Sequence, residues 1–153
     1  MHKILIVYHT QTGNTAKMAE RVAGGVDSIT GAEAVIKKAV DADLRHLLEC
    51  DGLVIGSPEY FGYMSGMIKD FFDRTYEQAR GRTEIFRKPY AAFISAGNDG
   101  SSALIQIERI CIGYQFKKVH EPVIAVGDVT SEVLTKCEEL GKTIALGCRE
   151  GIY

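Results

Sequence analysis

Ile4-Leu5-Ile6-Val7-Tyr8-His9-Thr10-Gln11-Thr12-Gly13-Asn14-Thr15 is the stretch on which the reading of this chain turns. Its first five residues are continuously apolar, the pattern of a strand buried on both faces of a parallel sheet. From Asn14 to Val26 the spacing becomes helical, with Ala16, Ala19, Val22, Ala23 and Val26 on one side. Gly24 and Gly25 weaken the end of that helix, at about 1 kcal/mol per glycine relative to alanine. The loop between strand and helix holds four residues able to cap and a glycine that lets the backbone turn tightly. Free N–H groups and hydroxyls that converge on the positive end of a helix dipole make an anion site, best suited to a phosphate. No Lys follows the glycine as in a triphosphate-binding loop, and G-x-G-x-x-G is absent. A terminal phosphate monoester therefore fits better than a pyrophosphate. An ordinary helix cap would need only one of these hydroxyls.

Outward from that stretch, apolar runs alternate with helix-period segments. Glu33 to Lys37 reads as a second strand, Leu53 to Ile55 as a third, Tyr90 to Ser95 as a fourth and Val123 to Val126 as a fifth. Helices are expected over Asp43 to Leu48, Met64 to Arg74, Ser102 to Ile112 and Ser131 to Cys148. Thr75 to Lys88, polar and rich in Arg and Gly, is expected to be an irregular surface loop. The alternation predicts an α/β fold: a doubly wound parallel sheet of five strands with helices on both faces. With no repeat, linker or low-complexity tract, residues 1–153 read as a single domain.

Composition narrows the function classes. Hydrophobic residues at 46% and charged ones at 25% place the chain among globular domains and away from disordered ones. The longest apolar runs, Ile4 to Tyr8 and Tyr90 to Ile94, are too short for a membrane span. The N-terminus lacks the pattern of a signal peptide, which points to the cytoplasm. Eighteen Lys and Arg against 20 Asp and Glu, net -2, leave no basic stripe for nucleic acid. Cys50, Cys111, Cys137 and Cys148 show neither C-x-x-C nor zinc spacing, so no metal site is expected and they read as buried free thiols.

In an open parallel sheet, ligands bind beyond the carboxyl ends of the strands. The loop after the third strand, Gly56 to Gly66, places Tyr60, Phe61 and Tyr63 among glycines, beside Pro58 and Glu59. Aromatic rings on a loop either cover the edge of the core or stack on a flat ligand. The loop after the fourth strand, Ser95 to Ser102, offers two glycines with small polar neighbours, which suit a close ligand wall or a plain turn. Taken together, a phosphate cradle, an aromatic platform and a small polar wall describe a planar cofactor with one phosphate tail.

At this point the chain resembles the flavodoxin-like FMN proteins, closest to the branch of NAD(P)H-dependent FMN reductases and Trp-repressor-binding-protein-type quinone reductases. Ile4 to Thr15 matches the strand and the T-x-T-G-N-T phosphate loop, and Gly56 to Gly66 followed by Lys69 to Arg74 matches the segment after strand three. The resemblance implies a strand order of 2-1-3-4-5 with FMN at the switch point. It also implies that Thr10, Gln11, Thr12, Gly13, Asn14 and Thr15 hold the FMN phosphate. Pro58, Glu59, Tyr60, Phe61 and Gly62 would line the flavin ring, and Ser95, Ala96, Gly97, Asn98 and Gly100 would close its other side. NADH or NADPH would be the electron donor, with a quinone, flavin or similar small molecule as acceptor, in a homo-dimer or tetramer. The alternative is a flavodoxin-type one-electron carrier serving a redox protein partner. Its size suits the chain, whereas a net charge of -2 lacks the acidic field that steers such carriers. A receiver domain would need acidic residues where Tyr8-His9-Thr10 stands, and a low-molecular-weight tyrosine phosphatase would need a Cys there. No catalytic side chain is assigned, because the flavin itself carries the redox chemistry in such proteins.

Overall fold

In the computed structural model, which describes residues 1–153, the strands are β1 (His2–Tyr8), β2 (Ala32–Lys38), β3 (Gly52–Tyr60), β4 (Tyr63–Met64), β5 (Pro89–Ala96), β6 (Lys117–Lys118) and β7 (Val123–Val126). The helices are α1 (Asn14–Asp27), α2 (Leu44–Glu49), α3 (Gly66–Ala79), α4 (Ser101–Tyr114) and α5 (Ser131–Glu150), with a 3-10 turn over Ala39–Asp41. The long strands lie parallel in the order β2-β1-β3-β5-β7, the 2-1-3-4-5 order of the sequence reading. The sheet nevertheless has seven strands rather than five. Its outer edge is broken: β6 pairs with Pro89 and Tyr90, and β7 with Phe93 to Ala96. Pro122, which has no N–H to give a ladder, precedes the point where pairing resumes. β4 adds an antiparallel hairpin to the end of β3.

Side chains alternate across the central strands, as the period of two requires. Leu5, Val7, Leu53, Ile55, Ala92 and Ile94 enter one core with α2, α3 and α4. Ile4, Ile6, Val54, Ala91 and Phe93 enter the other with α1 and α5. Cys50, Cys111 and Cys137 are buried free thiols and Cys148 is half-buried. No helix is long and apolar enough to cross a membrane.

Three expectations change. First, α3 does not stop at Arg74. Thr75 and Ala79 are buried and prolong the stripe of Ile68, Phe71 and Phe72. The Thr75 hydroxyl bonds to Tyr114 Oη at 2.8 Å, and Tyr114 Oη donates to the Phe72 carbonyl at 2.6 Å. The polar turn that follows also buries Ile85 and Lys88. Second, Gly56 to Tyr60 continue β3 instead of forming a loop, with Ser57 and Pro58 paired to Ile94 and Ser95. Third, Gly24 and Gly25 sit inside α1, and Gly25 has a structural task there. A Cβ on Gly25 would lie 2.1 Å from the Glu138 carbonyl oxygen, and one on Gly141 would lie 2.1 Å from that of Val22. The two helices thus cross backbone to backbone, each through the other's glycine.

Gly25→Ala and Gly141→Ala test this crossing. Helix propensity alone favours alanine by about 1 kcal/mol, yet forcing α1 and α5 apart should cost about 1–3 kcal/mol net in urea unfolding. Gly24→Ala, with open space around its Cβ, should stabilise the protein or leave it unchanged.

Candidate functional site

The carboxyl ends of β1, β3, β5 and β7 meet along one edge of the sheet, where a cavity of about 320 Å3 opens. Thr12 and Asn14 line it from the loop after β1, and Pro58, Glu59 and Tyr60 from the end of β3. Ser95, Ala96 and Gly97 reach it from β5, and Gly127 and Asp128 from the turn after β7. Gly13 stands at the N-cap of α1 with φ of 103°, a left-handed backbone that favours glycine, and no side chain caps the first turn. The Gly13 N–H instead donates to Thr10 Oγ1 at 3.1 Å, which folds the loop back on itself. The positive end of α1 is therefore left open to an anion.

Beneath the loop, the buried Thr15 hydroxyl is hydrogen-bonded to Ser95 Oγ at 2.8 Å and ties the start of α1 to β5. Tyr60 stands edge-on to His9, with ring centroids 6.4 Å apart at 81°. Its Oη is the single buried side-chain polar atom in the chain without a hydrogen-bond partner. Such an atom is costly to leave unmatched, and a polar ligand in the adjoining cavity would relieve it.

Comparison with known proteins decides the family. Residues 19–130 match the family model described as NADPH-dependent FMN reductase. This chain belongs to that family, among the flavodoxin-like FMN proteins. It is 35% identical over 161 residues to a flavodoxin of Aquifex aeolicus, covering 95% of this chain and 86% of that one. A solved flavodoxin from the domain Archaea superimposes with a TM-score of 0.83 at 26% identity, over 96% of this chain and 99% of the other. A flavodoxin, WrbA-like protein from Agrobacterium tumefaciens shares the fold, with a TM-score of 0.81 at 20% identity over 98% and 99% of the two chains.

Within this flavodoxin-like frame, the residues singled out from the sequence divide by role. Thr12, Asn14, Pro58, Glu59, Tyr60, Ser95, Ala96 and Gly97 reach the cavity, while Thr10, Gln11, Gly13 and Thr15 shape the loop around it or lie beside it. The Glu59 carboxylate is already committed. It accepts the Gly100 N–H at 3.1 Å and the Ala103 N–H at 3.0 Å, and so caps α4 from a neighbouring strand. Phe61 and Gly62, at φ of 52° and 75°, form the turn between β3 and β4, and the Phe61 ring is fully exposed rather than laid over the cavity or the core. A turn with both central residues at positive φ matches the twist of a two-residue hairpin. Asn98 is exposed outside the cavity, and Gly100 is the N-cap of α4, where a Cβ would strike Ile124. Gly127 and Asp128 were missed by sequence reasoning. The rule that identified the other loops applies equally to the turn after the last strand, where Gly127 donates to the Ala96 carbonyl at 2.8 Å.

His9 borders the same loop. Burial, and secondarily the nearby Lys38 charge, hold its imidazole below the ordinary 6.5. The folded protein therefore resists a proton that the unfolded chain accepts. Any contribution of His9 to stability is constant above about pH 6.5 and becomes unfavourable as pH falls through the depressed value. An NMR titration should place the His9 midpoint below 6.5, and Lys38→Met should raise it part of the way back, because burial remains.

Proposed function

We propose that the chain binds FMN in the cavity at the carboxyl edge and uses it to pass electrons from NADH or NADPH to quinones, free flavins or similar flat acceptors. The observation that carries the binding mode is the uncapped start of α1, opening beside Gly13 onto a cavity whose walls are neutral except for Glu59 and Asp128. A phosphate dianion there would be met by the N–H groups of Thr12, Asn14 and Thr15 and the hydroxyls of Thr10 and Thr12, with the helix dipole in place of a lysine. Thr15 acts one step removed, holding Ser95 and the loop in register. Pro58, the Glu59 backbone and Tyr60 would wall the ring on one side, with Ser95 to Gly97 opposite and Gly127-Asp128 at the rim. FMN supplies the redox chemistry when bound, and the protein supplies placement and a reduced exposure to water.

The family match, whose description names an NADPH-dependent FMN reductase, supports the enzyme reading. A second reading, a flavodoxin-type one-electron carrier with a redox protein partner, is favoured by the near full-length match to proteins named flavodoxin. The near-even charge weighs against it, since steering toward a basic partner needs a strong negative field.

Thr12→Asp would set a negative charge where the phosphate belongs, and should weaken FMN binding by about tenfold or more in a flavin fluorescence titration. Thr12→Ser should bind as well as the parent. Equal affinity in the Asp variant would remove the phosphate from this loop. The two redox readings separate in one anaerobic experiment on the FMN-loaded protein. Bleaching of the visible flavin band by NADH or NADPH within seconds supports the reductase. A flavin that ignores both nucleotides, yet takes electrons singly from dithionite in two resolved stages, supports the carrier.

A further inference from the structure

At the amino edge of the sheet, opposite the cavity described above, Cys50 stands just before β3 and Lys88 just before β5. These strands are parallel neighbours with Leu53 paired to Tyr90, so their register brings the two side chains together. Lys88 Nζ lies 3.7 Å from Cys50 Sγ. Both residues are nearly dry, Lys88 at 5% exposure and Cys50 at 6%. Both also donate to one acceptor, the Leu47 carbonyl in the last turn of α2: Cys50 Sγ at 3.4 Å, and Lys88 Nζ beside it. The Asp51 N–H, which would close that turn in a longer helix, goes to the Lys3 carbonyl instead.

Lys88 takes part in none of the chain's ion pairs. The carbonyl end of a helix favours a cation, which accounts for the bond from Lys88 to Leu47. A cap alone does not call for a thiol against the amine where a buried lysine would ordinarily have a carboxylate. A cavity of about 230 Å3 beside α2 reaches Cys50, so a molecule as small as hydrogen peroxide has a path to its sulfur. Lys3, Lys37 and Arg45 stand in the walls of that cavity, and nearby cations favour a thiolate. Burial nevertheless pushes the Cys50 thiol above its ordinary value, with the Lys88 charge second and opposing. Oxidation there is therefore slow, and the pair answers sustained peroxide rather than a brief pulse.

We propose that Cys50 and Lys88 form an oxidative crosslinking site, in which hydrogen peroxide drives a covalent sulfur–nitrogen bond between the two side chains. The Cys50 sulfur attacks one peroxide oxygen and the O–O bond breaks. Sulfur gives up an electron pair, and the departing hydroxide takes the thiol proton and leaves as water. The product is a sulfenic acid, which condenses with a nitrogen in reach. Lys88 loses its ammonium proton to solvent, and its lone pair attacks the sulfur. The S–N bond forms, the S–O bond breaks, and the leaving hydroxide removes one amine proton as a second water. The N–H that remains can still donate to the Leu47 carbonyl, and a buried ammonium has become neutral, which favours the product in a dry setting. Two equivalents of an external thiol restore both side chains and leave as a disulfide. The step uses no flavin and stands apart from the FMN reading.

Peptide mapping by mass spectrometry, on the full chain before and after prolonged exposure to hydrogen peroxide, tests the proposal. The parent should yield a peptide carrying Cys50 joined to one carrying Lys88, lighter than their sum by the two hydrogens lost. Treatment with dithiothreitol should separate them again. The joined pair should persist in Cys148→Ser, which removes the half-buried thiol that might otherwise pair with Cys50 at the same change in mass. Lys88→Met keeps an apolar stem without the amine, and should lose the joined pair and leave Cys50 oxidised on to the irreversible sulfinic acid. Cys50→Ala should lose the joined pair with Lys88 unmodified, and the parent's map decides the matter even where Lys88→Met does not fold. Cys50 found as a sulfinic acid in the parent with Lys88 free would overturn the proposal. So would a Cys50 untouched by sustained peroxide, a Cys50–Cys148 disulfide in place of the joined pair, or a joined pair that retains an oxygen atom.

Discussion

Burial of β1, β3 and β5 on both faces governs the rest of this structure. A strand whose backbone is paired to neighbours on either side can be covered above and below only by apolar surface. The connections must therefore cross over as helices, and do so with one hand. That leaves the strand ends as the only parts of the sheet that helices do not cover. Polar chemistry in the chain is displaced to those ends: Thr10 to Thr15, Glu59 and Tyr60, Ser95 to Gly97, and Gly127-Asp128 all lie along one edge. The switch in strand order between β1 and β3, with β2 leaving to one side and β5 to the other, parts the flanking loops and makes room for a ligand.

Much of this was legible because burial writes a plain pattern. The run Ile4 to Tyr8 and the period of Asn14 to Val26 gave both elements within two residues of their ends, since each is sampled over many side chains. Legibility failed where a tertiary partner decided the outcome. Thr75 looks like a loop residue until Tyr114, 39 positions away, pairs with its hydroxyl. Gly56 to Tyr60 looks like a glycine- and proline-marked loop until Ile94 and Ser95 offer a ladder. Gly25 reads as a defect in a helix because its reason, the Glu138 carbonyl, lies far along the chain. The candidate site was legible in its location and in most of its residue types. The division of labour within it was not, since no periodicity says whether a carboxylate faces a ligand or a helix end.

Glu59 illustrates that division. Its two oxygens accept the Gly100 and Ala103 N–H groups, so the strand that forms one wall of the cavity also fixes the helix that follows the opposite wall. The walls are therefore joined mechanically by one side chain. The Thr15 to Ser95 bond does the same between the phosphate loop and β5. Such cross-ties are short-range and polar, with the Thr15 to Ser95 bond buried and the Glu59 bonds part-buried, which suits them to hold a site at fixed width. The exposed Phe61 ring lies just outside this frame, on a hairpin turn whose backbone suits Asn or Gly better than a bulky residue.

The order of elements also has a consequence for synthesis. One of the two cores packs Met18, Ala19, Val22 and Val26 of α1 against Cys137, Leu140, Ile144 and Ala145 of α5. During translation α1 thus waits for α5. On the nascent chain β1, β2 and β3 can pair early, and α2 and α3 can cover one side of them, while the face that carries α1 lacks α5. Closure of that face comes only once α5 has been made, so until then the half-built domain presents its α1 side to chaperones.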